Sequence, residues 1–131
     1  MPPGLSALTE CDHVVAVVEG SITDLSNFAN AQFDAVLCLG APLSHLPAQA
    51  ARRWALAEMR RVLRSAGSLI ASVFNRIGGF RSAVQWPGAW DQIFPGHLDT
   101  GHTTMGSHAL PVYAFWPEEF HDELTEAGFA V

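Results

Sequence analysis

Phe33-Asp34-Ala35-Val36-Leu37-Cys38-Leu39-Gly40 and Ser68-Leu69-Ile70-Ala71-Ser72-Val73-Phe74 are short apolar blocks, and the residues between them carry a helical repeat. Their reading decides the fold. Ala51, Ala55, Met59, Val62 and Leu63 recur at i, i+4, i+8, i+11 and i+12, one apolar stripe along a helix. Pro47 opens that helix, because the N–H it lacks would have no intrahelical partner in the first turn. Arg52, Arg53, Arg60, Arg61 and Arg64 flank the stripe and read as a solvated face, and cations gathered toward a helix C-terminus complement its dipole. Gly67 turns the chain into the second block. Strand, helix and strand in this short span form a βαβ unit with parallel strands and a right-handed crossover.

Upstream, Val14-Val15-Ala16-Val17-Val18 ends at Gly20 and reads as another buried parallel strand, followed by a polar loop from Ser21 to Ala31. Met1 to Asp12 has only scattered apolar residues. Downstream, Gly78-Gly79 is a flexible joint, Phe80 to Trp86 is a short helix, and Pro87 to Ser107 is irregular, as a lid or insertion would be. Leu110 to Trp116 reads as a strand that Pro111 restricts to an edge or a start. Pro117 then opens a final helix with acids in its first turn and Phe120, Leu124 and Ala127 inward. Gly128 takes the C′ position, followed by apolar Phe129.

A chain of 131 residues, 49% hydrophobic and 15% charged, has the profile of one globular domain. All seven cations are arginine against 13 acids, a net charge of −6. With no basic run, unaided nucleic-acid binding is not expected. Cys11 and Cys38 make no CxxC pair and read as reduced thiols, which suggests the cytoplasm. No apolar window approaches the roughly 18 residues of a membrane span, and the start has no signal-peptide pattern.

Ligands of open parallel sheets bind outside the carboxyl ends of the strands. Ser21, Thr23, Asp24, Ser44, His45 and Asn75 follow the predicted strands and are the polar groups available to orient a small molecule there. The plainer reading of Ser21, Asp24 and Ser44 is as partners of loop or helix-end backbone groups. His45 stands at the same rim, and an imidazole suits general base work near neutrality; loop packing is its plainer role. His97, His102, His108 and His121 fall close together without zinc spacing, HExxH or a nearby cysteine, so no metal site is assigned. Nor is there a G-x-S-x-G elbow, a Walker A sequence or a G-x-G-x-x-G fingerprint. The four tryptophans read as core, with Trp86 and Trp90 able to line a pocket mouth.

In order and spacing these segments resemble the class I S-adenosylmethionine-dependent methyltransferases, over about Val14 to Val131. Val-Val-Glu-Gly-Ser-Ile-Thr-Asp-Leu at residues 17–25 resembles the family's third-strand motif. Phe33 to Gly40, continued by Pro42-Leu43-Ser44-His45-Leu46, resembles its fourth strand and active-site loop. Glu58 to Gly67 resembles the helix and turn before its fifth strand, and Trp116 to Val131 its late helix. The resemblance implies an α/β, incomplete Rossmann-like methyltransferase fold, a mainly parallel sheet with flanking helices in a single domain, 1–131. It implies S-adenosylmethionine as the cofactor, held by Gly20, Ser21, Ile22 and Asp24 on one loop and by Leu39 and Gly40 on another. His45 faces the acceptor as the candidate catalytic base.

The family's glycine-rich first loop and the acidic end of its second strand have no counterpart before Val14. A domain short of those two strands would leave the fourth strand's hydrogen-bonding row open. The expected remedy is either direct pairing of Val14–Val18 with Phe33–Leu39 or a homodimer through the exposed sheet edge. Two functions follow: methyl transfer to a small-molecule acceptor, or a non-catalytic remnant serving assembly. A histidine-based metal hydrolase is a third, weaker reading.

Overall fold

The computed structural model describes residues 13–85, 88 and 96–131. The readings made for Met1 to Asp12, Cys11, Trp86, Trp90 and most of Pro87 to Pro95 lie outside them. The first described elements are β1 (Phe33–Cys38), a 3₁₀ turn (Pro42–His45), α1 (Gln49–Val62) and β2 (Leu63–Ala71). β1 and β2 run parallel, with Ala35 opposite Ser68 and Cys38 opposite Ala71, so the βαβ unit forms.

Its limits differ from the sequence pattern. α1 starts at Gln49, not Pro47. β2 starts at Leu63, whose backbone is already extended (ψ 140°) and which pairs with Phe33. The register then slips between Phe33 and Ala35, and Gly67 sits in that irregularity. A Cβ there would come within 2.8 Å of the Leu63 side chain and 3.0 Å of the Asp34 carbonyl oxygen. Glycine permits the close approach.

Cys38, Leu43, Ala55, Leu56 and Met59 form the buried core. Val36, Leu69 and Ala71 pack on it from the sheet, and Phe120, Leu124, Ala127 and Phe129 from the C-terminal end. One sheet face is therefore covered. On the other, Leu37, Leu39 and Ile70 stay 56–62% exposed.

After β2 come α2 (Gly78–Gln85), α3 (His97–Thr100), β3 (His102–Met105), β4 (Leu110–Tyr113) and α4 (Pro117–Glu126). The stretch expected to be irregular thus contains a short helix and a strand. His102-Thr103-Thr104-Met105 has no apolar alternation of its own; it becomes a strand by pairing antiparallel with β4, Met105 opposite Leu110. Pro111 is tolerated because both strands of a two-stranded ribbon are edges. Beyond the ribbon, Phe115 donates its N–H to the Phe74 carbonyl at 2.8 Å and accepts the Arg76 N–H at 2.8 Å. That parallel bridge docks the hairpin on the continuation of β2.

α4 matches its sequence reading. The Glu119 carboxylate reaches back to the Trp116 N–H at 2.9 Å. Gly128, at φ +89°, closes the helix with a pair of bonds, Phe129 N–H to Leu124 O (3.1 Å) and Gly128 N–H to Thr125 O (3.0 Å).

Two expectations are corrected. Val14–Val18 is not a strand and does not pair with β1; Val15 is fully exposed and Val18 half exposed. A parallel strand needs a neighbour to satisfy its backbone, and β-branched composition alone does not supply one. Nor are the arginines of α1 uniformly solvated. Arg52 is buried and clasps Glu123 of α4 through three hydrogen bonds of 2.7–3.1 Å. Its guanidinium also lies 4.0 Å from the centre of the Tyr113 ring. Arg53 with Glu126 and Arg64 with Asp34 remain exposed ion pairs. The whole is an α/β, incomplete Rossmann-like arrangement, its main pair of strands parallel and flanked by helices.

Candidate functional site

β1 and β2 end on the same side of the sheet, and their trailing loops meet. After β1 the chain takes two consecutive left-handed residues, Gly40 (φ +85°) and Ala41 (φ +61°). Only the second carries a Cβ, and that conformation costs an L-residue about 1–2 kcal/mol. What holds it is Ser72, just past β2, whose Oγ accepts both the Gly40 N–H at 3.0 Å and the Ala41 N–H at 3.2 Å. A reciprocal bond runs the other way: Ser44, fully buried in the 3₁₀ turn, accepts the Phe74 N–H through its Oγ at 2.8 Å. Arg52 fixes the loop's exit by donating to the Leu46 and Pro47 carbonyls at 3.0 and 2.9 Å.

This geometry brings Leu39, Gly40 and His45 onto one rim. Leu39 is 58% exposed, and nothing lies within 4 Å of where a Gly40 Cβ would be. His45 is exposed, its ring edge-on to Phe74 at 5.9 Å. Just inside the rim, burial pushes the Cys38 thiol up from its ordinary value, so it is a protonated, free thiol.

The loop carrying Gly20, Ser21, Ile22 and Asp24 is positioned differently. Ile22 and Leu25 pack on the core that contains Cys38 and Leu43. Ser21 spends its Oγ on the Thr23 hydroxyl and N–H (2.8 and 3.2 Å), and Asp24 accepts the Ser26 N–H at 3.0 Å. Hydrogen bonds from Ser26, with a smaller contribution from the Arg61 charge, hold the Asp24 carboxyl below the usual range. Ser21, Asp24 and Ser44 all serve backbone groups, the plainer of their two roles. Gly20 is exposed with open space around it.

From α1, Glu58 accepts the Leu25 N–H at 3.0 Å, and Arg61 donates to the carbonyls of Leu25 and Phe28, both at 2.9 Å, and to Asn30 Oδ1. Glu58 and Arg61 also bind each other at 2.7–2.9 Å. That pairing draws the Glu58 carboxyl down and raises Arg61. An open cleft of about 540 Å³ lies here, lined by Thr23, Asp24, Ser26, Trp54, Glu58 and Arg61. A larger one, about 640 Å³, follows the length of β2 and the end of α4. Neither is lined by His45 or Gly40.

His97 is buried, with Nε2 2.9 Å from the Arg76 carbonyl oxygen. Among the described residues no group of three or more His, Cys, Asp or Glu side chains could hold a metal ion, and no helix is long and apolar enough to cross a membrane. Sequence reasoning missed Ser72, Glu58 and Arg61; a serine closing an apolar strand at the binding end was the one available signal.

A parallel βαβ unit whose strand-end loops converge on one rim is the framework on which nucleoside-containing cofactors are held in α/β proteins. Residues 4–71, more than half of the chain, match the family described as a methyltransferase domain. The chain belongs to that family, the class I S-adenosylmethionine-dependent methyltransferases. No curated protein matches it.

Proposed function

We propose that this domain transfers a methyl group from S-adenosylmethionine to a small-molecule acceptor in the cytoplasm. The observation that carries the reading is the rim itself: Leu39, Gly40 and His45 stand together at the carboxyl end of β1, inside the span matched to the family. The open space at Gly40 and the exposed apolar surface of Leu39 suit a ligand lying against the strand end. Gly20, Ser21, Ile22 and Asp24 border the adenosine end in this reading.

S-adenosylmethionine supplies a methyl group activated by a sulfonium. When bound, it would give that methyl to the acceptor and keep the electron pair of the broken carbon–sulfur bond on sulfur. The chain's task is alignment and exclusion of water. His45 takes the proton that the acceptor loses. Calorimetric titration with S-adenosylmethionine and S-adenosylhomocysteine tests this: micromolar binding is expected, and no heat or thermal shift at millimolar ligand would refute it.

A second reading is favoured by one observation. Among the described residues β1 pairs only with β2, and Leu37 and Leu39 on its side of the pair and Ile70 on β2 are exposed. The chain would then be a non-catalytic assembly module, pairing with a second copy through its sheet edge. Analytical ultracentrifugation decides it, a monomer at all concentrations ruling it out.

A further inference from the structure

We propose that Ser72 and Ser44 are positioning residues of the donor site, a reciprocal clasp that sets the shape of the loop on which the cofactor lies. The proposal rests on the methyl-transfer reading above. Each serine sits on one loop and hydrogen-bonds the backbone of the other across about 30 residues: Ser72 receives the Gly40 and Ala41 N–H groups, and Ser44 receives the Phe74 N–H. The successive N–H groups of Gly40 and Ala41 point at one spot and bound a small concavity. Here the concavity is filled by the Ser72 hydroxyl rather than left to solvent or ligand.

The consequence is specific. Without Ser72 Oγ, nothing else among the described residues accepts those two N–H groups, and the strained Ala41 loses the bond that holds it. The loop would relax toward right-handed backbone, moving Leu39 and Gly40 at one end and His45 at the other. Ser44 fixes the same loop from beneath, and its neighbour His45 rests edge-on against Phe74, the residue whose N–H Ser44 accepts.

The test uses Ser72→Ala and Ser72→Thr in the full chain, with two readouts. Amide hydrogen exchange at Gly40 and Ala41 should accelerate at least tenfold in Ser72→Ala, while Leu56 and Met59 inside α1 keep their protection. Titration with S-adenosylhomocysteine should weaken about tenfold, the effect of losing one to two ordinary hydrogen bonds. Ser72→Thr, which keeps the hydroxyl, should restore both. Unchanged exchange at Gly40 and Ala41 in Ser72→Ala overturns the clasp, as does weakened binding that threonine does not rescue. Absence of binding by the unmodified protein overturns the donor reading and with it the clasp's role there. The exchange readout needs no ligand, so it separates that failure from a failure of the clasp itself.

Discussion

The two loops nominated for the donor are built on opposite principles. Leu39 to Leu46 leaves a strand that is paired along its length, and its shape is fixed by its neighbour strand through Ser72 and Phe74. Ser21 to Asn30 follows a valine-rich block that pairs with nothing described, and it is held from the side by two α1 residues, Glu58 and Arg61. Neutral serine hydroxyls set beside a paired strand hold the turn of the first loop, and an ion pair on the neighbouring helix holds the second. The turn at Gly40 and Ala41 should therefore be indifferent to pH, and the second loop should follow it.

The largest effect is expected at the end of the strand-built loop. If His45 removes the acceptor's proton, His45→Gln lowers kcat by a factor of about 10²–10⁴. Binding of S-adenosylhomocysteine should stay within about threefold, because the histidine meets acceptor rather than donor. Equal losses in binding and turnover would instead make His45 a packing residue.

Next is the support beneath that loop. Arg52 carries its exit through Leu46 and Pro47 and is itself held by Glu123. Glu123→Ala leaves a buried guanidinium without its partner, which costs about 3–5 kcal/mol. Chemical denaturation measures it. An Arg52→Met, Glu123→Leu double variant should recover part of the loss, since two apolar side chains need no charge partner while the Leu46 and Pro47 carbonyls lose their donor. A single variant near wild-type stability would show that the pair is more hydrated than its burial indicates.

The side-held loop is read best by pH. Glu58 has its carboxyl lowered in the folded protein, chiefly by Arg61, so its contribution is present above the ordinary glutamate value of 4.5 and is lost as pH falls through the folded value. The Leu25 amide resonance should shift and lose exchange protection over that fall, while Gly40 and Ala41 stay unchanged. Glu58→Gln should remove the loss of Leu25 protection and leave only the shift that the neighbouring Asp24 carboxylate causes. A Leu25 amide indifferent to pH would remove the distinction between the loops.

How much of this was legible in the sequence follows the same division. Helical spacing at Ala55, Met59 and Val62, the apolar blocks of β1 and β2, and the glycine stop at Gly128 are local signals, and each led to the right element. Arg52 could not be read locally, because what buries it is Glu123, 71 positions away. β3 was invisible because its threonines become a strand only against β4. For the candidate site, His45 was nominated by the rule that ligands gather at strand ends, and Leu39 and Gly40 by the resemblance to the methyltransferase family. Ser72 escaped because its partners lie 31 and 32 residues back in the chain.

The smallest effect tests the comparison at its origin. Val14–Val18 has better strand composition than Phe33–Leu39, with four β-branched residues in five, yet only the second is a strand. If pairing rather than composition decides, Val15, fully exposed, contributes nothing to the fold. Val15→Ser should then change stability by less than about 0.5 kcal/mol, as surface substitutions do. Val36→Ser, on the covered face of β1, should cost several times more, because it removes apolar contact with the core and places a hydroxyl there. Equal losses at the two positions would mean that the valine block is buried in solution, against a partner strand or a second copy, and the two loops would then share one principle of construction.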